Sequence, residues 1–220
     1  MEEIQNNPKC KVVCLGESGV GKTSIISILL NKSFNEKELS TIGALYAGKT
    51  MRYDEYRYKS VNFELWDTTG MEIYRTLTSF FYRDSEVVIL VYDITRKDTF
   101  DNIKSYWYSQ LKENSDPNII IGIAGNKCDL YENEQVKENE AREFAEQIGA
   151  IFELTSAQNN TGINELFLGV GYKYLDPNFK LIKDEDDDDK QDEKKEEKKK
   201  IVLDKKEVQK ENKKKKKSFC

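Results

Sequence analysis

Short apolar runs alternate along the chain with longer segments in which apolar residues recur every three or four positions. The short runs predict buried strands at residues 11–15, 61–66, 87–92, 118–124 and 151–154. The longer segments predict helices at 24–31, 98–112, 138–148 and 163–174, and Gly149 is placed to end the third helix. Strands separated by helices predict βαβ crossovers, and therefore a mostly parallel sheet with helices on both faces.

A sixth strand is predicted at one edge of this sheet. Residues 49–58 mix charged residues with tyrosine, and the strand at 61–66 follows almost directly. Because so short a connection permits only an antiparallel pairing, the two segments are expected to form a hairpin. The fold class is therefore α/β, with a six-stranded, mostly parallel sheet.

The composition changes abruptly near the end of the 220-residue chain. Residues 184–217 contain 13 acidic residues and 14 lysines, with the acids concentrated before residue 194 and the lysines after it. Such a segment cannot bury a core, so we expect a disordered tail, with a helix supported by Glu–Lys pairs as the alternative. The predicted organisation is an N-terminal extension (1–8), a globular domain (9–176) and a charged tail (177–220).

The composition also excludes several kinds of chemistry. The chain has no histidine, which removes catalytic triads, His-ligated zinc and imidazole bases. Its four cysteines show neither metal-binding nor disulfide spacing. No apolar run is long enough to span a membrane and no signal-peptide core is visible, so a soluble, intracellular protein is expected. The acidic globular part does not suggest nucleic-acid binding.

A phosphate-binding loop follows the first predicted strand. Residues 16–23 fit the pattern GxxxxGK(S/T) and lead directly into a predicted helix. Glycines allow the backbone to wrap closely around phosphates, Lys22 adds a positive charge, and the Thr23 hydroxyl is placed to bind Mg²⁺. A simple glycine turn is the weaker alternative. The residues assigned to nucleotide binding here are Glu17, Ser18, Gly19, Val20, Gly21, Lys22, Thr23 and Ser24.

A second motif indicates which base is bound. Asn126, Lys127 and Asp129 follow the strand at 118–124, at a sheet edge where α/β proteins bind ligands. A buried Asp129 accepts hydrogen bonds from the N1–H and 2-amino group of guanine, and adenine offers no matching pair of donors. The expected ligands are GTP and GDP.

Together these motifs resemble the Ras superfamily of small GTPases, over about residues 9–176. Segments 41–43, 66–70, 74–78, 81–83 and 90–95 are similar to those that distinguish its Rab family. The resemblance implies that Thr23, Thr41 and Asp67 hold Mg²⁺ and that Thr41 and Gly70 contact the γ-phosphate. The positions that it assigns to hydrolysis are Lys22, Thr41, Gly70 and Met71.

The resemblance also implies contacts with the base and with protein partners. Phe34 matches an aromatic residue that packs against guanine, and Ser156, Ala157 and Gln158 match a loop that contacts the guanine oxygen. Tyr46, Trp66 and Phe81 match positions through which Rab proteins recognise effectors. In simpler readings, Phe34 is a core aromatic residue, Asp67 is a helix cap, and Trp66 and Phe81 are buried.

The sequence departs from the Rab pattern in the segment after Asp67. Met71 stands where the family has a glutamine that orients the attacking water, and a thioether cannot do this. Thr69 replaces an alanine near the γ-phosphate, and Gln158 replaces a lysine. We therefore expect intact nucleotide binding but slow intrinsic hydrolysis.

The chain ends in a lysine tract, Lys213–Lys217, followed by Ser218, Phe219 and Cys220. Rab proteins usually end in two prenylated cysteines, so a single prenyl group on Cys220, assisted by the lysines, is expected here. The alternatives are a free thiol beside a lysine tract and a nuclear-import signal.

The resemblance implies a monomeric switch on the cytoplasmic face of an endosomal or secretory membrane, with a cytosolic pool. Its expected partners are effectors, an exchange factor, a GTPase-activating protein and prenylation or extraction chaperones. Two other functions stay open at this point: a hydrolysis-deficient, GTP-locked adaptor and a P-loop nucleotide kinase.

Overall fold

A six-stranded sheet forms the centre of the protein. The computed structural model describes residues 7–35, 41, 44–53, 59–68 and 80–179, and the predicted tail from residue 180 onward lies outside these ranges. The strands are β1 (Lys9–Leu15), β2 (Ala44–Tyr53), β3 (Lys59–Thr68), β4 (Val87–Asp93), β5 (Ile120–Asn126) and β6 (Ile151–Thr155). They lie in the order β2-β3-β1-β4-β5-β6. Only the β2–β3 pairing is antiparallel among the described strands, so the predicted edge hairpin and mostly parallel sheet are confirmed.

Four helices that lie wholly within the described residues, and a short 3₁₀ segment, Cys128–Asn133, accompany these strands. The helices are α1 (Lys22–Leu29), α2 (α-helical Lys97–Asn102, π-helical Ile103–Trp107 and α-helical Tyr108–Asn114), α3 (Glu138–Ile148) and α4 (Ile163–Leu175). Gly149 ends α3 at a φ of 67°, as predicted. In the part of the chain that the structure describes, no helix is both long and apolar enough to cross a membrane.

Most element boundaries differ from the predictions by one or two residues, and two of the differences affect the edge hairpin and the candidate site. Strand β2 begins at Ala44, five residues before the predicted start, because its pairing with β3 continues as far as Ala44 opposite Thr68. The predicted end of this strand, residues 54–58, lies outside the described residues. Strand β5 continues to Asn126, which pairs with Thr155 of β6, so the guanine motif begins inside the strand. Residues 44–48 are mostly apolar and show no alternation of apolar and polar positions, and β5 ends in Gly125 and Asn126, so the hydrophobic pattern indicated neither extension.

Apolar layers cover both faces of the sheet. Alternate residues of β4 enter different layers, with Val91 packing on the face of α1 and α4 and Leu90 on the face of α2 and α3. All seven β4 residues are buried, which accounts for their continuous apolar run. With both faces occupied by helices, the open position for a ligand is the carboxyl edge of the strands.

Candidate functional site

The loop between β1 and α1 lies tightly against the ends of β4 and β5. Gly16 has a φ of 144°, and a methyl group at its Cα would come within 2.2 Å of the Val91 carbonyl oxygen. Gly21 has a φ of 98°, and a methyl group there would meet Asn126 Nδ2, also at 2.2 Å. Glycine is therefore required at both positions by backbone conformation and by close approach.

The Lys22 side chain forms hydrogen bonds with the backbone of this loop. Its Nζ donates hydrogen bonds to the carbonyl oxygens of Gly16 at 2.9 Å and Glu17 at 2.8 Å, and the side chain is buried. Burial lowers the pKa of Lys22 to about 8, against the opposing effects of Asp67, Cys14 and Glu17. A phosphate bound beside this ammonium group would favour its charged form.

The three predicted Mg²⁺ ligands lie together although they are distant in the chain. Thr23 Oγ1 donates to Asp67 Oδ2 at 2.6 Å and lies 2.7 Å from Thr41 Oγ1. Thr41 Oγ1 lies 3.3 Å from the same carboxylate oxygen. Oxygen donors of this kind fit Mg²⁺, which strongly prefers oxygen ligands. Asp67 is buried near the end of β3, so the alternative that it caps a helix is wrong.

Asn126 connects the phosphate loop to two strands of the sheet. Its Nδ2 donates to the Val20 carbonyl oxygen at 2.8 Å, and its Oδ1 accepts from Thr155 Oγ1 at 3.2 Å. This role explains why the residue is an amide, because it must donate and accept at the same time.

Lys127 forms an ion pair that the sequence analysis did not predict. Its Nζ lies 2.6 Å from Oδ2 of Asp93, and Asp93 is almost fully buried at the end of β4. The other carboxylate oxygen of Asp93 accepts hydrogen bonds from the amide and hydroxyl of Thr95, at 2.9 Å and 2.7 Å. Lys127 itself has a φ of 66°, a backbone conformation that is uncommon for a residue other than glycine, two positions before Asp129.

The third part of the predicted base site is the loop after β6. Ser156 Oγ donates to Asp129 Oδ1 at 2.5 Å and accepts from the amide of Asn159 at 3.0 Å. Ala157 is buried, and Gln158 is exposed. The structure therefore brings the Asp129 carboxylate next to the predicted guanine-contacting loop.

The predicted aromatic residues have different environments. Phe34 is 38% exposed, so it is not a core residue. Tyr46 is 59% exposed and packs edge-on against Trp66, with ring centroids 5.6 Å apart. Trp66 and Phe81 are half-buried against the core on the α2 face, which gives partial support to the alternative that they are structural.

Several predicted functional residues lie outside the described ranges. They are Thr69, Gly70 and Met71, and the C-terminal Lys213–Lys217 and Cys220. Their predicted roles in hydrolysis and membrane attachment stay predictions.

Helix α2 also reaches the phosphate loop, in contacts that the sequence analysis did not predict. Trp107 Nε1 donates to Glu17 Oε1 at 3.2 Å, and Arg96 Nη1, at the start of the helix, donates to the Ser18 carbonyl oxygen at 3.2 Å. These partners are 90 and 78 residues apart in the chain, and no local motif connects them.

The sequence of this domain is similar to those of known proteins. A sequence model of the Ras family matches residues 11–175. The chain is 44% identical to Ras-related protein Rab-22A of Homo sapiens over 160 residues, which cover 73% of this chain and 80% of that protein. It is 42% identical to human Ras-related protein Rab-31 over 170 residues, or 76% and 85% of the two chains. It is 38% identical to Ras-related protein Rab-5A of Dictyostelium discoideum over 173 residues, or 77% and 84%.

Proposed function

This chain belongs to the Rab family of the Ras superfamily of small GTPases, and from that membership we propose that it is a slowly hydrolysing GTP/GDP switch in vesicular membrane traffic. The observation that carries the proposal is the meeting of three groups at one sheet edge. These groups are the phosphate loop around Lys22, the oxygen cluster of Thr23, Thr41 and Asp67, and the Asp129–Ser156 pair. They lie at or just after the carboxyl ends of β1, β3, β5 and β6, and Thr41 lies just before β2.

Each group has a distinct task in this proposal. The loop amides and Lys22 bind the phosphates, and Asp129 selects guanine by accepting its two donors. Thr23, Thr41 and Asp67 would hold Mg²⁺, which when bound neutralises charge on the β- and γ-phosphates. Family membership implies that Thr41 also contacts the γ-phosphate, so its position would depend on whether GTP or GDP is bound, and effectors would recognise the difference. The contacts of Thr41 with Thr23 and Asp67 support its placement at this site.

The function of a nucleotide kinase receives no support. Kinases need a second substrate site, whereas the family match extends over nearly the whole described domain. The remaining alternative is a GTP-locked adaptor, which Met71 and Thr69 favour. It differs from a slow switch only in whether GTP is ever hydrolysed.

Single-turnover hydrolysis tests the slow switch. We expect protein loaded with Mg²⁺ and GTP to release phosphate slowly. The Met71→Gln variant should be about a hundredfold faster, since glutamine can orient the attacking water. Met71→Leu is the matched control and should stay slow, because leucine resembles methionine in size and cannot form the hydrogen bond.

The outcomes separate the two candidates. Equal rates in the wild type and Met71→Gln would contradict the role given to Met71. Absence of any phosphate release, with GTP retained after purification, would favour the locked adaptor.

We propose that the C-terminal residues attach the protein to a membrane. One prenyl group on Cys220 gives weak, reversible binding, and each of Lys213–Lys217 adds roughly 1 kcal/mol near an anionic membrane surface. The proposed location is the cytoplasmic face of an endosomal or secretory membrane, with a cytosolic pool. The proposed partners are effectors, an exchange factor, a GTPase-activating protein and prenylation chaperones, acting on a monomer.

A further inference from the structure

Helix α2 contacts the phosphate loop through a buried tryptophan. Trp107, near the middle of α2, is 3% exposed, and its indole N–H donates to the Glu17 carboxylate at 3.2 Å. Glu17 is 6% exposed, although it lies in a loop at the edge of the sheet. A carboxylate buried to this extent needs hydrogen-bond donors, since its desolvation is otherwise costly.

The local geometry of α2 directs Trp107 toward this carboxylate. Residues Ile103–Trp107 form a π-helical turn, and Trp107 is its last residue. An additional residue in a helical turn rotates the following side chains by roughly 100° relative to a regular α-helix. Because π turns weaken regular helix geometry, they persist mainly where the displaced side chain has a specific contact.

A second contact supports the same side of the loop. Arg96, just before α2, donates from Nη1 to the Ser18 carbonyl oxygen at 3.2 Å and pairs through Nη2 with Asp98 at 2.8 Å. Glu17 and Ser18 are adjacent, so α2 and the residue before it hold two successive residues of the phosphate loop, one by a side chain and one by the backbone.

We propose that Trp107 is a positioning residue that keeps the phosphate loop in its nucleotide-binding conformation through its hydrogen bond to Glu17. The inference rests on the proposed nucleotide site and adds a residue of α2 to it. Glu17 is next to Gly16, and Lys22 donates to the carbonyl oxygens of both. A shift of Glu17 would therefore displace the acceptors that hold the Lys22 ammonium group.

The test measures release of a fluorescent GDP analogue from the full-length, Mg²⁺-loaded protein. Trp107→Phe removes the N–H and keeps an aromatic ring, and we expect release about tenfold faster, as for loss of a hydrogen bond to a charged group. Leu111→Ala is the control for core damage, since Leu111 lies one turn further along α2 and is also buried. It should lower the melting temperature but leave the release rate unchanged.

Variants of the acceptor keep the proposal testable if Trp107→Phe does not fold. Glu17→Met removes the acceptor at similar size and should release GDP faster than Glu17→Gln, which keeps an acceptor oxygen. Adding Trp107→Phe to Glu17→Met should cause no further acceleration, because the contact is already lost.

The outcomes are distinguishable. Equal release rates in the wild type and Trp107→Phe, or fully additive effects in the double variant, would overturn the role of Trp107 and leave the nucleotide site intact. Failure of the wild type to bind GDP would instead contradict the proposed function.

Discussion

Asp129 is the residue on which base recognition depends in this account. Its carboxylate is held by Ser156 and provides two acceptors in one plane. In an Asp129→Asn variant, the side-chain amide would offer one acceptor and one donor. That donor would face the guanine 2-amino group, which is also a donor, so the contact would be unfavourable. In xanthine the same position is a 2-oxo group, which can accept the hydrogen bond.

We therefore expect Asp129→Asn to weaken GDP binding by roughly a hundredfold and to improve binding of xanthosine diphosphate. Titration of both nucleotides against the wild type and the variant measures this change. Glu132→Gln is the control, because Glu132 is exposed in the same 3₁₀ segment and should leave both affinities unchanged. An equal loss of affinity for both nucleotides would indicate damage to the fold instead of a change in specificity.

Individual site residues were predictable where their chemistry requires a short motif. The phosphate loop and the Asn126–Asp129 segment have fixed spacing, so they stand out in the sequence. Asp93 and Trp107 could not be identified in this way. Their partners, Lys127 and Glu17 respectively, are distant in the chain, and the pairings follow from the fold. Only the assembled sheet and α2 bring these groups together.

The packing of β2 against α4 depends on one glycine. Tyr53 of β2 is 1% exposed, and its hydroxyl donates to the Phe167 carbonyl oxygen of α4 at 3.2 Å. A methyl group on Gly171 would lie 1.7 Å from that hydroxyl oxygen and 2.3 Å from the adjoining ring carbon. The ring must therefore move if any side chain is added at this position.

We expect Gly171→Ala to lower the free energy of unfolding by about 1–3 kcal/mol, since the clash outweighs the gain of roughly 1 kcal/mol in helix propensity. Denaturant unfolding of the GDP-bound wild type and variant measures this change in the free energy of unfolding. In the control Gly48→Ala, the added methyl meets no atom of the described residues within 4 Å. Unchanged or increased stability of Gly171→Ala would show that Tyr53 has room to repack.

Among the elements, hydrophobic periodicity predicted the four helices α1–α4 and five of the six described strands in their order along the chain. The sixth strand, β2, was predicted from its short connection to β3. The periodicity failed at the start of β2, where residues 44–48 do not alternate between apolar and polar, and at the end of β5, where pairing continues through Gly125 and Asn126. It also could not distinguish the π turn of α2 from a regular helix, because the same apolar residues are buried in both.

The whole molecule combines a nucleotide-binding domain with a charged C-terminal segment that, in our proposal, binds membranes. We expect Cys220→Ser to move most of the protein from the membrane fraction to the cytosol of cells, since the lysines alone bind weakly. Replacing Lys213–Lys217 by glutamine should cause a smaller shift. Ser218→Ala is the matched control, and cell fractionation measures all three.

The same distribution for the wild type and Cys220→Ser would contradict lipid attachment at this cysteine. None of the three changes should alter GDP affinity, because the nucleotide contacts proposed here lie within residues 16–158.

Selective binding of guanine nucleotides is the property on which the proposed switch depends. The most direct measurement is displacement of a fluorescent GDP analogue from the Mg²⁺-loaded protein by GDP, GTP, ADP and ATP. We expect both guanine nucleotides to displace the analogue at similar low concentrations. Either adenine nucleotide should cause little displacement even at roughly a thousandfold higher concentration, which corresponds to about 4 kcal/mol of discrimination. Equal displacement by adenine and guanine nucleotides would contradict the role given to Asp129 and, with it, the account of the site.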